Sequence, residues 1–215
     1  MSRLASGFLG FFLVLAVFLG GAALAADISL PAPTTQGGIG LFDALWKRSS
    51  AAGGDFTLAE VSLADLSTVL WAATGLNRGG TGYTVPMAEG LPPYVDVYVA
   101  GPEGVYLYLP KENLLREISA ENIRAQIGAQ AFVGKAYYVL IFVSNPEELG
   151  GLRNRDAAEE FAAVLTGAMT QDVYLAAAAL KLGARYIHSM KEPAIVAGLK
   201  LPEGHKPLAL MLLGN

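Results

Sequence analysis

Apolar Leu66, Val69, Leu70 and Ala73 recur at spacings of three and four from Leu63 onward, with Trp71 beside them. That spacing predicts a helix ending near Gly75. Thr57-Leu-Ala-Glu60 and Ser62-Leu-Ala-Asp65, just upstream, both resemble capping boxes. Ile39, Leu41, Phe42, Leu45 and Trp46 suit an earlier helix over Ile39 to Arg48 with one buried face. The pattern then changes period. Val95, Val97 and Val99 alternate with Tyr94, Asp96 and Tyr98, and beyond Gly101-Pro-Glu-Gly104 the residues Val105, Leu107 and Leu109 alternate with Tyr106 and Tyr108. This predicts a β-hairpin with one aliphatic and one tyrosine-rich face. Leu114 to Ile118 suits a short third strand, and Ser119 suits the cap of a helix reaching about Ala129.

Tyr137 to Ser144 (YYVLIFVS) is unbroken β-branched and aromatic sequence, the pattern of a central strand buried on both faces. Asp156 to Leu182 has few polar positions after Glu160, so it reads as a helix buried on all sides. A chain this small implies that a second subunit covers part of it. Tyr186 to His188 predicts a short strand, Glu192 to Leu199 a helix, and Pro207 to Leu213 a final buried strand. Helices and strands in this order imply an α+β fold around one mixed sheet.

The N-terminus follows a different rule. Arg3, the apolar run Phe8 to Leu19 and the small-residue pattern Ala23-Leu24-Ala25 read as a secretory signal over residues 1–25. The alternative is an uncleaved anchor, since the run approaches the ~20 residues that span a bilayer. A single arginine before the run excludes a twin-arginine signal, so export would be of the Sec type, to the periplasm or the extracellular space. Residues 26–40, rich in Pro and Gly, read as an extended linker, and residues 41–215 as one domain.

The chain has 215 residues and no cysteine, which excludes disulfides, thiol catalysis and thiolate metal sites. Losing Arg3 with the signal takes the basic count from 15 to 14 against 19 acidic residues, a balance of −5. No basic stripe for nucleic acid and no basic amphipathic helix for a membrane surface is present. Gly79-Gly80-Thr81-Gly82 lacks the Lys of a phosphate loop, the two histidines have no metal-ligand spacing, and no GxSxG elbow occurs. Composition and spacing therefore assign neither a metal site nor a catalytic residue. Lys47 and Arg48 complement the dipole at a helix C-terminus or hold a phosphate.

The run Leu66 to Ala100 followed by Gly104-Val-Tyr-Leu-Tyr108 resembles the FMN-dependent nitroreductase family, especially its SagB-type dehydrogenase branch. There a helix ending LLWAAxGxNR leads through RTxPSAxN to a strand ending YV and then GxYxY. Lys47-Arg-Ser-Ser50 with Asp55-Phe56 is similar to the family's RRSxRxF start, and Gly167 to Leu175 to its GAxxQNxxL. Tyr186-Ile-His-Ser-Met190 is similar to its WIGxF turn, Gly198 to Gly204 to its GLPEG, and Leu213-Gly214 to its closing LG.

The resemblance implies a nitroreductase-like α/β sandwich with a central mixed, mainly antiparallel sheet, an interlocked homodimer, and FMN at the dimer interface. It implies ping-pong electron or hydride transfer to a small acceptor such as a nitroaromatic, a quinone or a peptide-derived azoline. By position, Lys47, Arg48 and Ser49 would meet the FMN phosphate. Pro86, Met87, Ala88 and Gly90 would line the isoalloxazine and ribityl, Gln171 would reach the cofactor from the long helix, and Ile187, His188 and Ser189 would offer backbone amides. Within RTxPSAxN this chain has Tyr83 for arginine, Met87 for serine and Gly90 for asparagine, and Asp172 replaces the asparagine of QN. Two readings stand: an exported FMN oxidoreductase, or a flavin-less relative that keeps the dimeric fold to bind another ligand.

Overall fold

The computed structural model describes residues 26–215, so the proposed signal or anchor lies outside the described residues. In chain order the elements are β1 (Ile28–Ser29), α1 (Leu41–Lys47), α2 (Leu63–Thr74), β2 (Leu76–Asn77), β3 (Gly82–Tyr83), β4 (Val95–Ala100), β5 (Val105–Leu109) and β6 (Leu114–Ser119). They continue with α3 (Arg124–Ile127), β7 (Tyr138–Ser144), α4 (Pro146–Leu149), α5 (Ala158–Leu180), β8 (Gly183–Ile187), α6 (Glu192–Leu199) and β9 (Lys206–Gly214). Seven strands form one sheet in the order β1-β6-β5-β4-β7-β9-β8. The α+β sandwich expected from the sequence is present, and every ladder in this sheet is antiparallel.

β7 sits between β4 and β9, and all seven of its residues are buried. Leu140 and Phe142 face the core made with α2 and α5, while Val139, Ile141 and Val143 face a second core with Ile123, Ile127, Ile195 and Leu199. A strand alternates its side chains between two faces, so the continuous apolar run requires cover on both. On the second face Arg124 is buried, donating from Nη1 to the carbonyls of Ala136 and Tyr137 at 2.7 Å each. Burial lowers its proton affinity, and Tyr137 and Tyr138 beside it partly offset that.

Several expectations are corrected. The segment read as a linker contributes β1, paired with β6, and Asn113 Nδ2 donates to Pro31 O at 2.9 Å, tying the arm to the domain. Of Thr57 and Ser62, only Ser62 caps a helix, accepting from Asp65 N–H at 3.1 Å. Thr57 instead donates from N and Oγ1 to the carbonyl of Asn215, and Leu58 follows at φ 62°, which is incompatible with a helix start. The hairpin faces are mixed, because the register pairs Val99 with Tyr106 and Tyr98 with Leu107. Residues opposite each other share a face, and the four-residue turn sets that register. Ser119 ends β6 instead of opening a long helix, and the helix that follows is only Arg124–Ile127.

Two helices are less covered than their composition implies. α1 buries only Ala44; Phe42 is 85% exposed and Trp46 89%. α5 is the one helix among the described residues long and apolar enough to span a bilayer, yet it lies on the sheet with α2 packed beside it. Its inward face carries Leu165, Met169, Val173 and Ala177, and Val164, Gly167 and Gln171 form an open outer stripe.

Ser62→Ala removes the acceptor for the α2 N-terminus and is expected to cost about 1 kcal/mol of stability, measured by denaturant unfolding. Thr57→Ala has no helix to uncap, so its effect should leave α2 helicity unchanged.

Candidate functional site

The residues singled out by sequence fall in three places. The first is the connection after α1. Arg48 N–H donates to Ala44 O at 2.8 Å, ending the helix, and its guanidinium lies 5.1 Å from the centroid of the Tyr174 ring. A guanidinium at this distance over an aromatic face is held electrostatically while its N–H groups stay available at the ring's edge. The Tyr174 hydroxyl accepts Tyr186 N–H at 2.8 Å and bonds the Ser50 hydroxyl at 2.7 Å. Ala51 N–H donates to Ala184 O and Arg185 Nη1 to Ala51 O, so this connection is fastened along β8. Lys47 and Ser49 line a cavity of about 380 Å³ with Lys181 and the C-terminal Gly214 and Asn215.

The second place is a cleft of about 540 Å³ where α5 passes the ends of β7 and β8 and the start of β9. His188 lines it with Tyr186, Thr166, Gly167, Thr170 and Lys206. Ile187 is buried in the second core, so only its backbone reaches this turn. The His188 carbonyl accepts Met190 N–H at 2.9 Å and the Ser189 carbonyl accepts Ala129 N–H at 3.1 Å. Gly167 has open space where a side chain would project, which keeps the α5 wall flat.

The third place is the loop between α2 and β4. Pro86, Met87 and Gly90 line another groove of about 540 Å³ with Arg78, Thr81 and Tyr83; Ala88 packs against the core behind them. At Gly82 the Arg78 guanidinium folds over the backbone in the space a Cβ would take. Glu89 and Gly90 take the left-handed conformation, and Glu89 Oε2 accepts Arg153 N–H at 3.2 Å. Gly90 relieves the strain of φ 72°, at the loss of any side-chain donor at that place.

Among the described residues, these three cavities keep Lys47 and Ser49, His188, and Pro86 to Gly90 apart. α5 separates them. Ala163, Thr166, Gly167 and Thr170 border the His188 cleft, while Asp172, Leu175, Ala176 and Ala179 border a 330 Å³ cavity with Trp71 and Thr84 on the opposite flank. Thr84 also lines the Pro86 groove, which places that groove next to the cavity on the far flank. Gln171 lies on the exposed stripe between the flanks and lines neither. Among the described residues no cluster of side chains suits a metal ion.

The family model for the nitroreductase family matches residues 55–215. The chain belongs to the nitroreductase family. A solved structure from Ralstonia eutropha JMP134, described as a nitroreductase, is 34% identical with a TM-score of 0.81, covering 89% of this chain and 90% of its own. One from Anabaena variabilis ATCC 29413 is 21% identical with a TM-score of 0.72, covering 88% of this chain and 41% of its own. The Escherichia coli microcin synthetase McbBCD complex with truncated pro-MccB17 bound matches at 17% identity and a TM-score of 0.68, covering 96% of this chain and 84% of its own. No curated protein sequence matches. The family match begins at Asp55, beyond Lys47 to Ser50.

Sequence reasoning missed the Tyr174 node, Lys206 and the two threonines of the cleft. Thr166 and Thr170, four apart on an otherwise apolar helix, were the available signal. It also did not foresee the environment of Asp172 in this nitroreductase-family chain. Burial pushes that carboxyl up to about 6 from 3.8. The folded state then binds a proton that the unfolded state has released, so stability falls as pH rises from about 4 to about 6 and stays lower above. Asp172→Asn is expected to remove this loss: its melting temperature relative to the parent should climb between pH 4 and pH 6.5, read by thermal melts across that range. Tyr174→Phe orphans Tyr186 N–H and is expected to cost about 1–3 kcal/mol, read by denaturant unfolding.

Proposed function

We propose that this chain is an exported, FMN-dependent oxidoreductase that works as a homodimer. The observation that carries the proposal is the division of the site. The Arg48 and His188 positions lie on one flank of α5 and the Pro86–Gly90 groove on the other, with an exposed stripe between them. A two-fold axis across that stripe would bring one chain's Pro86–Gly90 flank to the other chain's His188 flank, which a single chain cannot do for itself. Exposed Phe42 and Trp46 on α1 supply apolar area for such an interface.

The residues fit FMN as half of a site. The His188 cleft is of ligand size, within the ~300–1,000 Å³ usual for small-molecule sites. Arg48 stands beside it through Tyr174 and Tyr186, with no carboxylate partner among the described residues, as a phosphate ligand needs. Lys47 and Ser49 would add a charge and a hydroxyl to the phosphate end, and the turn at Ile187 to Ser189 would add amides. Pro86, Met87, Ala88 and Gly90 would cover the ring from the second chain, and Gln171 would lie at the seam. FMN, when bound, supplies two-electron redox chemistry to a small organic acceptor in ping-pong fashion. The protein supplies position, charge and exclusion of water.

The signal-like residues 1–25 support delivery to the periplasm or the extracellular space, with membrane contact only through that segment if it is retained. The second reading, a flavin-less binding protein of the same fold, is favoured by one feature. Met87 and Gly90 present no side-chain donor to a flavin.

Expressing the chain from Ala26 and combining light scattering with visible absorbance after FMN addition tests both readings. A dimer that keeps stoichiometric FMN through gel filtration is expected; a colourless protein that releases all added FMN would falsify the flavoprotein reading. Arg48→Ala should weaken FMN binding by roughly tenfold to a hundredfold, the loss of one charge-assisted contact, measured by flavin fluorescence quenching.

A further inference from the structure

The His188 cleft has a polar inventory that flavin binding alone does not use. Thr166 Oγ1 donates to Ala162 O at 2.8 Å, Thr170 Oγ1 to Gly167 O at 3.0 Å and Ser144 Oγ to Lys206 O at 3.4 Å. A carbonyl cannot donate, so each of these hydroxyl protons is committed within the chain. Lys206 and Glu159 hold each other at 3.3 Å at the rim, the only ion pair among the described residues. His188 differs from all of these. Its exposed side chain lines the cleft and has no carboxylate partner among the described residues. It also stands where the WIGxF pattern has glycine, so a proton-active side chain has been added to a turn whose other contribution is backbone.

We propose that the His188 side chain selects the electron acceptor of this cleft and protonates it, favouring acceptors whose oxygen takes up a proton on reduction, quinones first. The proposal rests on the flavoprotein reading. A quinone that gains a hydride equivalent, two electrons and one proton, from a dihydroflavin reductant becomes a hydroquinone monoanion. The His188 imidazolium gives its N–H proton to that oxygen, the N–H bond breaking as the O–H bond forms, and the neutral imidazole regains a proton from water in the open cleft. The charged groups facing His188 are Glu159 from α5 and Lys206 from β9, which offset each other; Tyr186 of β8 and Ser144 of β7 bring no charge. A neutral, flat acceptor therefore meets no net charge there, and the His188 ring N–H, with the Tyr186 hydroxyl beside it, is free of partners among the described residues to reach its oxygen.

The test uses the FMN-loaded dimer, its His188→Gln and His188→Gly variants, and two acceptors: menadione, which needs protons, and ferricyanide, which takes electrons alone. The ratio of menadione to ferricyanide turnover should fall about a hundredfold in both variants, the scale of general acid catalysis. The basic limb of the parent's menadione pH profile should vanish with it. In the oxidised protein, menadione should shift the imidazole C2–H resonance of His188 and leave that of His205 in place. FMN retained, with an unchanged ratio and an unmoved His188 resonance, overturns the role of His188 alone. Failure of the parent to retain FMN overturns the flavoprotein reading and this proposal together.

Discussion

Burial of every residue of β7 is the constraint on which the layering depends. A strand with Leu140 and Phe142 on one side and Val139, Ile141 and Val143 on the other leaves no face for water. Each such side chain gains about 1.5–3 kcal/mol from full burial, so both faces must be covered for the strand to stay at the centre. α2 and α5 cover one face, and the short α3 with α6 covers the other. Because β4 and β9 flank β7 and continue both faces, the same requirement sets the depth of the sheet and the places where its ends open.

The clefts arise where that cover stops. α5 crosses the sheet with one face buried and leaves a flank on either side, and the candidate site is shared between those flanks. The turn after β8 reaches one flank because its strand is the sheet's last, paired only with β9. The Pro86–Gly90 loop reaches the other because the β2–β3 pair, outside the main sheet, delivers it past Trp71. Between the two flanks runs the open stripe of Val164, Gly167 and Gln171.

Membership in the nitroreductase family sets the scaffold; the site has its own chemistry. Tyr174 joins the segment after α1 to β8 through one hydroxyl, so the Arg48 end and the His188 end are mechanically coupled. Relative to the motifs the chain resembles, Met87 and Gly90 lack a side-chain donor, Asp172 places a half-buried carboxyl whose proton is held up to about 6, and His188 replaces a glycine.

The hydrophobic pattern determined the elements whose burial is local and periodic: α2, β7, α6 and β9 lie where their spacing predicts, because apolar periodicity and core burial are the same fact seen twice. The capping pattern at Thr57 and the cap at Ser119 misled, since each hydroxyl is used across the fold or in a local turn, and a short side chain cannot announce which partner it will find. The mixed faces of the hairpin depended on register, which the alternation within each strand does not contain. Motif spacing named the site's pieces without saying that α5 would part them. By itself, then, the sequence determined the two-faced central strand, α2, α6 and β9, and the resemblance to the family. Only the tertiary structure decided that the motif-matched positions fall in separate clefts around α5 and that His188 lines one of them, because both depend on contacts between residues far apart in the chain, and those are set by packing and not by spacing.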